Sequence, residues 1–196
     1  MQPLFLGLSI AVTLAAVLPY LRDILRGTTR PNLVSWITWT LLTAVASIAA
    51  WADGEYTAAV FTGASCLETL TVVVLGLSKG YVKYTRFDIA CQLGAVAGLI
   101  LWLIFNSPAV AVVAAVTIDL IGALPTVRHS WLAPGEETWH TYALSALGGF
   151  FALLALTTYN WTSLPYAIYL VVINALLSVL IIVRLRATAI APEQEA

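Results

Sequence analysis

All nine Lys and Arg residues of this chain stand beside alternate gaps between its apolar stretches, and the intervening gaps carry none. Arg22, Arg26 and Arg30 follow the first stretch, Lys79, Lys83 and Arg86 the third, Arg128 the fifth, and Arg184 with Arg186 close the last. The opposite side carries only Asp53 and Glu55. One-sided basic loops record the orientation of a helical membrane protein, because loops rich in Lys and Arg stay in the cytoplasm. A basic C-terminal end after an odd number of crossings places the N-terminus outside and the C-terminus inside. Seven crossings satisfy both conditions.

With 61% hydrophobic residues, 10% charged residues and a mean hydropathy of +0.92, the 196-residue chain lies far outside the range of a soluble domain. A span needs roughly 20 apolar residues, and such runs lie near 3–21, 32–51, 56–78, 87–105, 109–128, 139–158 and 164–184. No gap is long enough for a soluble domain, so any chemistry belongs inside the bundle or at its mouths. The first run lacks a basic leading region and its charges come after it, which reads as a retained span rather than a secretory signal. Cys66 and Cys91 fall within spans and read as packing residues; no disulfide, metal site or cofactor follows from them. No basic patch interleaved with aromatics points to nucleic acid. The triplet Asn160-Trp161-Thr162 matches a glycosylation acceptor, but it sits in a tight outer loop and reads as chance. The expected location is the cell membrane, plasma or inner, with the lipid bilayer and a small solute as partners.

An internal repeat organises these spans. Leu18-Pro19 precedes Arg22 near the inner end of the first span, and Leu124-Pro125 precedes Arg128 near the inner end of the fifth, an offset of 106 residues. The same offset carries Thr13 to Asp119, Glu68 to Asn174, Ser35 to Thr141 and Trp36 to Tyr142. Each half therefore reads as three helices, and a fourth span keeps the two halves parallel. The expected fold is all-α and integral to the membrane, in a 3+1+3 plan: a first bundle over 1–78, a linker helix within 79–108, a second bundle over 109–186 and a cytoplasmic tail over 187–196. Gly94 and Gly98 on the fourth span allow a close helix approach. Packing within the bundle is favoured over pairing of copies into a homo-oligomer.

Ionisable groups in hydrocarbon are costly, so each one marks a candidate site. Asp119 lies ten residues into its span, Asn174 ten and Glu68 twelve, counted from the outer end. At ~1.5 Å per residue this is roughly 15–18 Å deep, near the midplane. A shared depth predicts a common central cavity, with Glu68 and Asp119 as proton-coupling groups and Asn174 as a solute contact. The competing reading makes the three residues interhelical hydrogen-bond glue. Trp36 and Trp39 share one helical face. The shallower Trp36 reads first as an interfacial anchor and second as a solute contact, whereas Trp39 is placed to stack on a solute. Trp51, Trp102, Trp131, Trp139 and Trp161 stand at or near span ends and read as belt residues. Pro19 and Pro125 break helical hydrogen bonding in corresponding places, suited either to a hinge or to a static kink.

With these residues in place, the chain resembles the PQ-loop superfamily, which includes SWEET sugar transporters and cystinosin-like carriers, over nearly its whole length. That family has seven helices in a 3+1+3 plan, with a Pro-Gln pair near the inner ends of the first and fifth helices. Here Pro19-Tyr20 and Pro125-Thr126 stand at those places, so the Gln is missing from both. The second loop, Pro125 through Ser145, is the more diverged and carries Glu136-Glu137. The resemblance implies that Asn174 lines a solute pocket, that Glu68 stands where a second Asn is expected, and that the aromatics Trp39, Trp36 and Tyr142 face the solute. It implies a small-solute transporter working by alternating access, with a cationic or proton-linked solute favoured over a sugar. PnuC-type vitamin transporters share a similar plan, and the KDEL receptor uses the same fold as a non-transporting receptor; such a receptor or sensor is the other class of function. No nucleophile–base pair, metal cluster or phosphate-binding loop points to an enzyme.

Overall fold

The computed structural model describes residues 2–52, 54, 56–81, 83–104, 108–161 and 163–190. Asp53, Glu55, Thr162 and the tail residues 191–196 lie outside the described residues. Among the described residues the chain is entirely helical: α1 (Gln2–Arg26), α2 (Leu33–Ala52), α3 (Tyr56–Ser78), α4 (Arg86–Ile104), α5 (Pro108–Leu132), α6 (Trp139–Ala155) and α7 (Leu164–Ile190), with one 3-10 turn over Pro134–Glu136. Four stretches, Gln2–Arg26, Leu33–Ala52, Val110–Leu132 and Leu164–Ala189, are long and apolar enough to cross a membrane. The protein is a helical membrane protein.

Local chemistry sets the helix ends at the basic side. Gly27, at φ 77°, takes the left-handed turn that ends α1, and the Thr28 amide bonds back to the Asp23 carbonyl at 3.0 Å. Gly80 ends α3 the same way, with the Tyr81 amide on the Gly76 carbonyl. Asn32 caps α2 by accepting the Val34 amide at 3.1 Å. Thr85 and Asp88 form a reciprocal cap on α4, in which the Asp88 carboxylate accepts the Thr85 amide at 2.7 Å and the Thr85 hydroxyl accepts the Asp88 amide at 3.2 Å. Both Pro19 and Pro125 lie inside unbroken helices, so α1 and α5 run past them to Arg26 and Leu132.

Packing divides the chain into two compact units. The first comprises Met1–Arg30, Thr126–Ala155 and Ala167–Ala196; the second comprises Pro31–Pro125 and Leu156–Tyr166. Each unit draws on segments from both ends of the chain. The first unit joins α1 to α6 and the body of α7; the second joins α2, α3 and α4 to most of α5. In the first unit α1 and α6 meet so closely that a Cβ on Gly148 would strike the Thr13 side chain and lie 3.3 Å from its backbone nitrogen. Phe5 and Phe151 stack along the same seam with centroids 6.4 Å apart. In the second unit Leu42 of α2, Ala95 of α4 and Ile118 of α5 form a buried cluster, with Leu99, Trp102, Ala114 and Ile121 against it. Gly98 lets α4 approach α5, since a Cβ there would lie 2.8 Å from Ile118 Cγ1.

Helices in lipid are held by such close contacts, because the surroundings are as apolar as the side chains. Gly148→Val therefore overpacks the α1–α6 seam, where the Thr13 side chain and the backbone behind it leave no room, and is expected to cost ~1–3 kcal/mol. Gly7→Ala, with nothing within 4 Å of the added methyl, is expected to leave the melting temperature unchanged or slightly raised. Thermal melts of the purified variants check the contrast.

Candidate functional site

Most polar side chains within the helices are satisfied by their own backbone. The hydroxyls of Thr38, Thr40, Thr43 and Thr117 donate to the carbonyls of Val34, Trp36, Trp39 and Val113, at 2.9, 2.7, 2.7 and 2.7 Å. Asn174 behaves alike: its Nδ2 donates to the Leu170 carbonyl one turn back at 2.9 Å. Two carboxyls also lie within these helices. Asp119 on α5 is only 6% exposed, and Glu68 on α3 is half-buried. Both belong to the second unit, whereas Asn174 belongs to the first. Tyr166 is within electrostatic reach of Asp119 in the second unit.

The aromatics divide in a similar way. Trp36 is 5% exposed and meets Trp39 edge-on, with centroids 5.1 Å apart and planes at 86°. Neighbouring side chains cover Trp36, so its ring is packed within the second unit. Trp102 is packed against the cluster of Leu42, Ala95 and Ile118. Trp51, Trp131 and Trp161 are exposed at helix ends. Arg184 lies over the Trp131 ring at 4.4 Å and donates to the Trp131 carbonyl at 3.1 Å. Gln92 on α4 is a further polar group within the helices, and an uncharged one. Its Oε1 accepts from Thr38 at 3.3 Å, in a cleft lined by Leu41, Leu42, Ala95 and Ile118.

Tyr142, the repeat partner of Trp36, leads to a second arrangement at the basic end of the first unit. Its hydroxyl donates to Glu137 Oε2 at 3.0 Å, and the Tyr20 hydroxyl from α1 donates to the same oxygen at 3.0 Å. Glu137 is 6% exposed, and its other oxygen, Oε1, is buried without a partner. Beside it the Thr138 and Thr29 hydroxyls share a 2.6 Å hydrogen bond, and Thr138 donates to Asp23 at 3.1 Å. Burial pushes the Glu137 carboxyl up to about 8; the two tyrosine bonds act in the opposite direction and the neighbouring Glu136 adds to the rise. Glu136, by contrast, faces outward, with Arg30 Nη1 at 2.9 Å and His129 Nε2 at 3.6 Å. A cavity of about 280 Å³ is lined by Pro19, Arg22, Trp139, His140, Ala143 and Leu144 along the same stretch of α1 and α6.

Adjacent acids in a loop carry no sign in the sequence of which one is buried. The sequence feature that points there is Tyr20, directly after Pro19, which supplies one of the two hydroxyls. Among the described residues no three His, Cys, Asp or Glu side chains gather in a way that suits a metal ion. Comparison with protein-family models, with curated proteins and with solved structures returns no match. The class that fold and site define is a helical membrane protein with carboxyls buried among its helices.

The two acids of the loop give a direct contrast. Tyr20→Phe removes a hydrogen bond to a buried carboxyl and is expected to cost roughly 1–3 kcal/mol. Arg30→Gln breaks a half-exposed ion pair and is expected to cost under about 1 kcal/mol. Denaturation of both variants ranks them, and a larger loss for Arg30→Gln contradicts the role assigned to the buried carboxyl.

Proposed function

We propose that the chain is a small-solute carrier of the cell membrane, with all seven helices crossing the bilayer, the N-terminus outside and the C-terminus inside, working by alternating access. One observation carries this reading: Asp119 is buried among the apolar helices of a unit that also holds Glu68, while every Lys and Arg stands at a span end. A carboxylate within a membrane costs several kcal/mol unless it is neutralised by a partner, a proton or a cation. Two carboxyls in apolar spans, with no Lys or Arg in the interior of those spans, suit a site that takes up a proton or a cationic solute. Trp39, half-buried in the same unit and edge-on to Trp36, adds an aromatic surface suited to a cationic or planar solute. The resemblance to PQ-loop carriers and the one-sided placement of basic residues point the same way. The solute class favoured is an organic cation, or a neutral solute moved together with a proton.

Uptake into proteoliposomes, screened over amines, amino acids, vitamins and sugars, tests the proposal. An imposed pH gradient is expected to drive uptake. Asp119→Asn and Glu68→Gln are expected to reduce the gradient-driven part about tenfold, the equivalent of ~1.4 kcal/mol. Gradient-driven uptake unchanged in both variants removes the proton from the proposal. Binding without uptake in every solute class assigns the chain to the receptors instead.

A further inference from the structure

We propose that Glu137 is a proton-binding site that fastens α1 to the start of α6 while loaded and loosens that end of the first unit when empty. The geometry comes first. Glu137 Oε2 joins Tyr20 of α1 to Tyr142 of α6 through two 3.0 Å hydrogen bonds, and the two rings meet edge-on with centroids 6.3 Å apart. Removing the acceptor from this junction would leave two buried phenol hydroxyls on different helices without their shared partner.

The charges around the carboxyl leave it uncompensated when ionised. On its own loop the neighbour is Glu136, of the same sign, which already takes Arg30 and faces His129 of α5. On α1 the acid Asp23 takes Arg22 at 2.8 Å and the Thr138 hydroxyl. On α6 the group in contact is Tyr142. Arg22 and Arg30 are thus paired with the other two acids, and Oε1 of Glu137 has no donor to stabilise a charge. A protonated carboxyl is neutral and still accepts both tyrosine bonds, so it suits the closed junction. An ionised one is a buried charge without a counter-ion, relieved only by admitting water. Loss of the proton is a simple transfer to water, and the cavity beside Pro19, Arg22 and His140 runs along the same stretch.

The repeat shows that this feature belongs to one half alone. By the 106-residue offset, Glu137, Tyr142 and Thr126 correspond to Pro31, Trp36 and Tyr20. The first loop has no titratable group where the second has Glu137. This inference does not rest on the carrier reading, since a receptor and a carrier alike would be governed by such a junction.

In the folded chain the carboxyl holds its proton up to about 8, against an ordinary value of 4.5. Between those values the folded state binds more protons than the unfolded one, so stability falls as pH rises and levels off above about 8. Thermal melts of the full chain in lipid nanodiscs test this. Wild type is expected to lose melting temperature across that window, and Glu137→Gln to show a shallower fall and to outlast wild type at the alkaline end. Tyr20→Phe and Tyr142→Phe each remove a donor that favours the ionised form and are expected to move the alkaline end of the fall to higher pH. An unchanged slope in Glu137→Gln overturns the proposal. If that variant fails to fold, the tyrosine variants decide alone: curves that keep the wild-type end point overturn it as well.

Discussion

Within an apolar helix bundle a polar group has only the chain itself to bond to, and this constraint organises the molecule. Helical backbone satisfies its own amides and carbonyls. Thr38, Thr40, Thr43 and Thr117 return their hydroxyls to the preceding turn, and Asn174 does the same with its amide. At the basic ends, Gly27, Gly80, Asn32 and the Thr85–Asp88 pair close the exposed termini. Among the described residues, carboxyls are also set within or against the helices. Asp119, Glu68 and Glu137 are carboxyls kept in surroundings that penalise charge, and each therefore invites a proton or a cation.

The second organising fact is that repetition in sequence and compactness in space follow different boundaries. Pro19 and Pro125, or Trp36 and Tyr142, are matched by the 106-residue offset. Yet α1 packs on α6, against Gly148, and α2 packs with α4 and α5 around Leu42, Ala95 and Ile118. Thus α1 is held with α6 and α7, and most of α5 with α2, α3 and α4. The two solute-facing carboxyls of the proposed carrier belong to one such unit, and the Tyr20–Glu137–Tyr142 junction to the other.

The helices themselves were legible because apolar runs of span length leave few alternatives, and observed and expected boundaries differ mainly where α1, α5 and α7 extend past the hydrocarbon length at their basic ends. The positions of Gly94 and Gly98 correctly indicated a close approach by α4, which is made to Ile121 and Ile118 of α5. Burial at helix ends was not legible. Trp36 looked like an anchor by depth, but depth says nothing of which neighbours cover a face. Glu136 and Glu137 are adjacent and identical in type, yet the extended backbone at Glu137, with φ −124° and ψ 148°, turns successive side chains to opposite sides. One meets Arg30 at the surface and the other enters the interior. Composition treats such a pair as equal, and only the fold distinguishes them.

The account rests most heavily on the two acids at mid-span being reachable from water rather than enclosed by side chains or lipid. Thiol labelling measures this directly: with Cys66 and Cys91 replaced by Ser, Glu68→Cys and Asp119→Cys are exposed in turn to a small charged reagent that does not cross membranes. The account predicts that both thiols react, and that a solute carried by the protein slows the reaction. Thiols that remain unmodified with reagent on both sides of the membrane, in a chain otherwise folded, would contradict it.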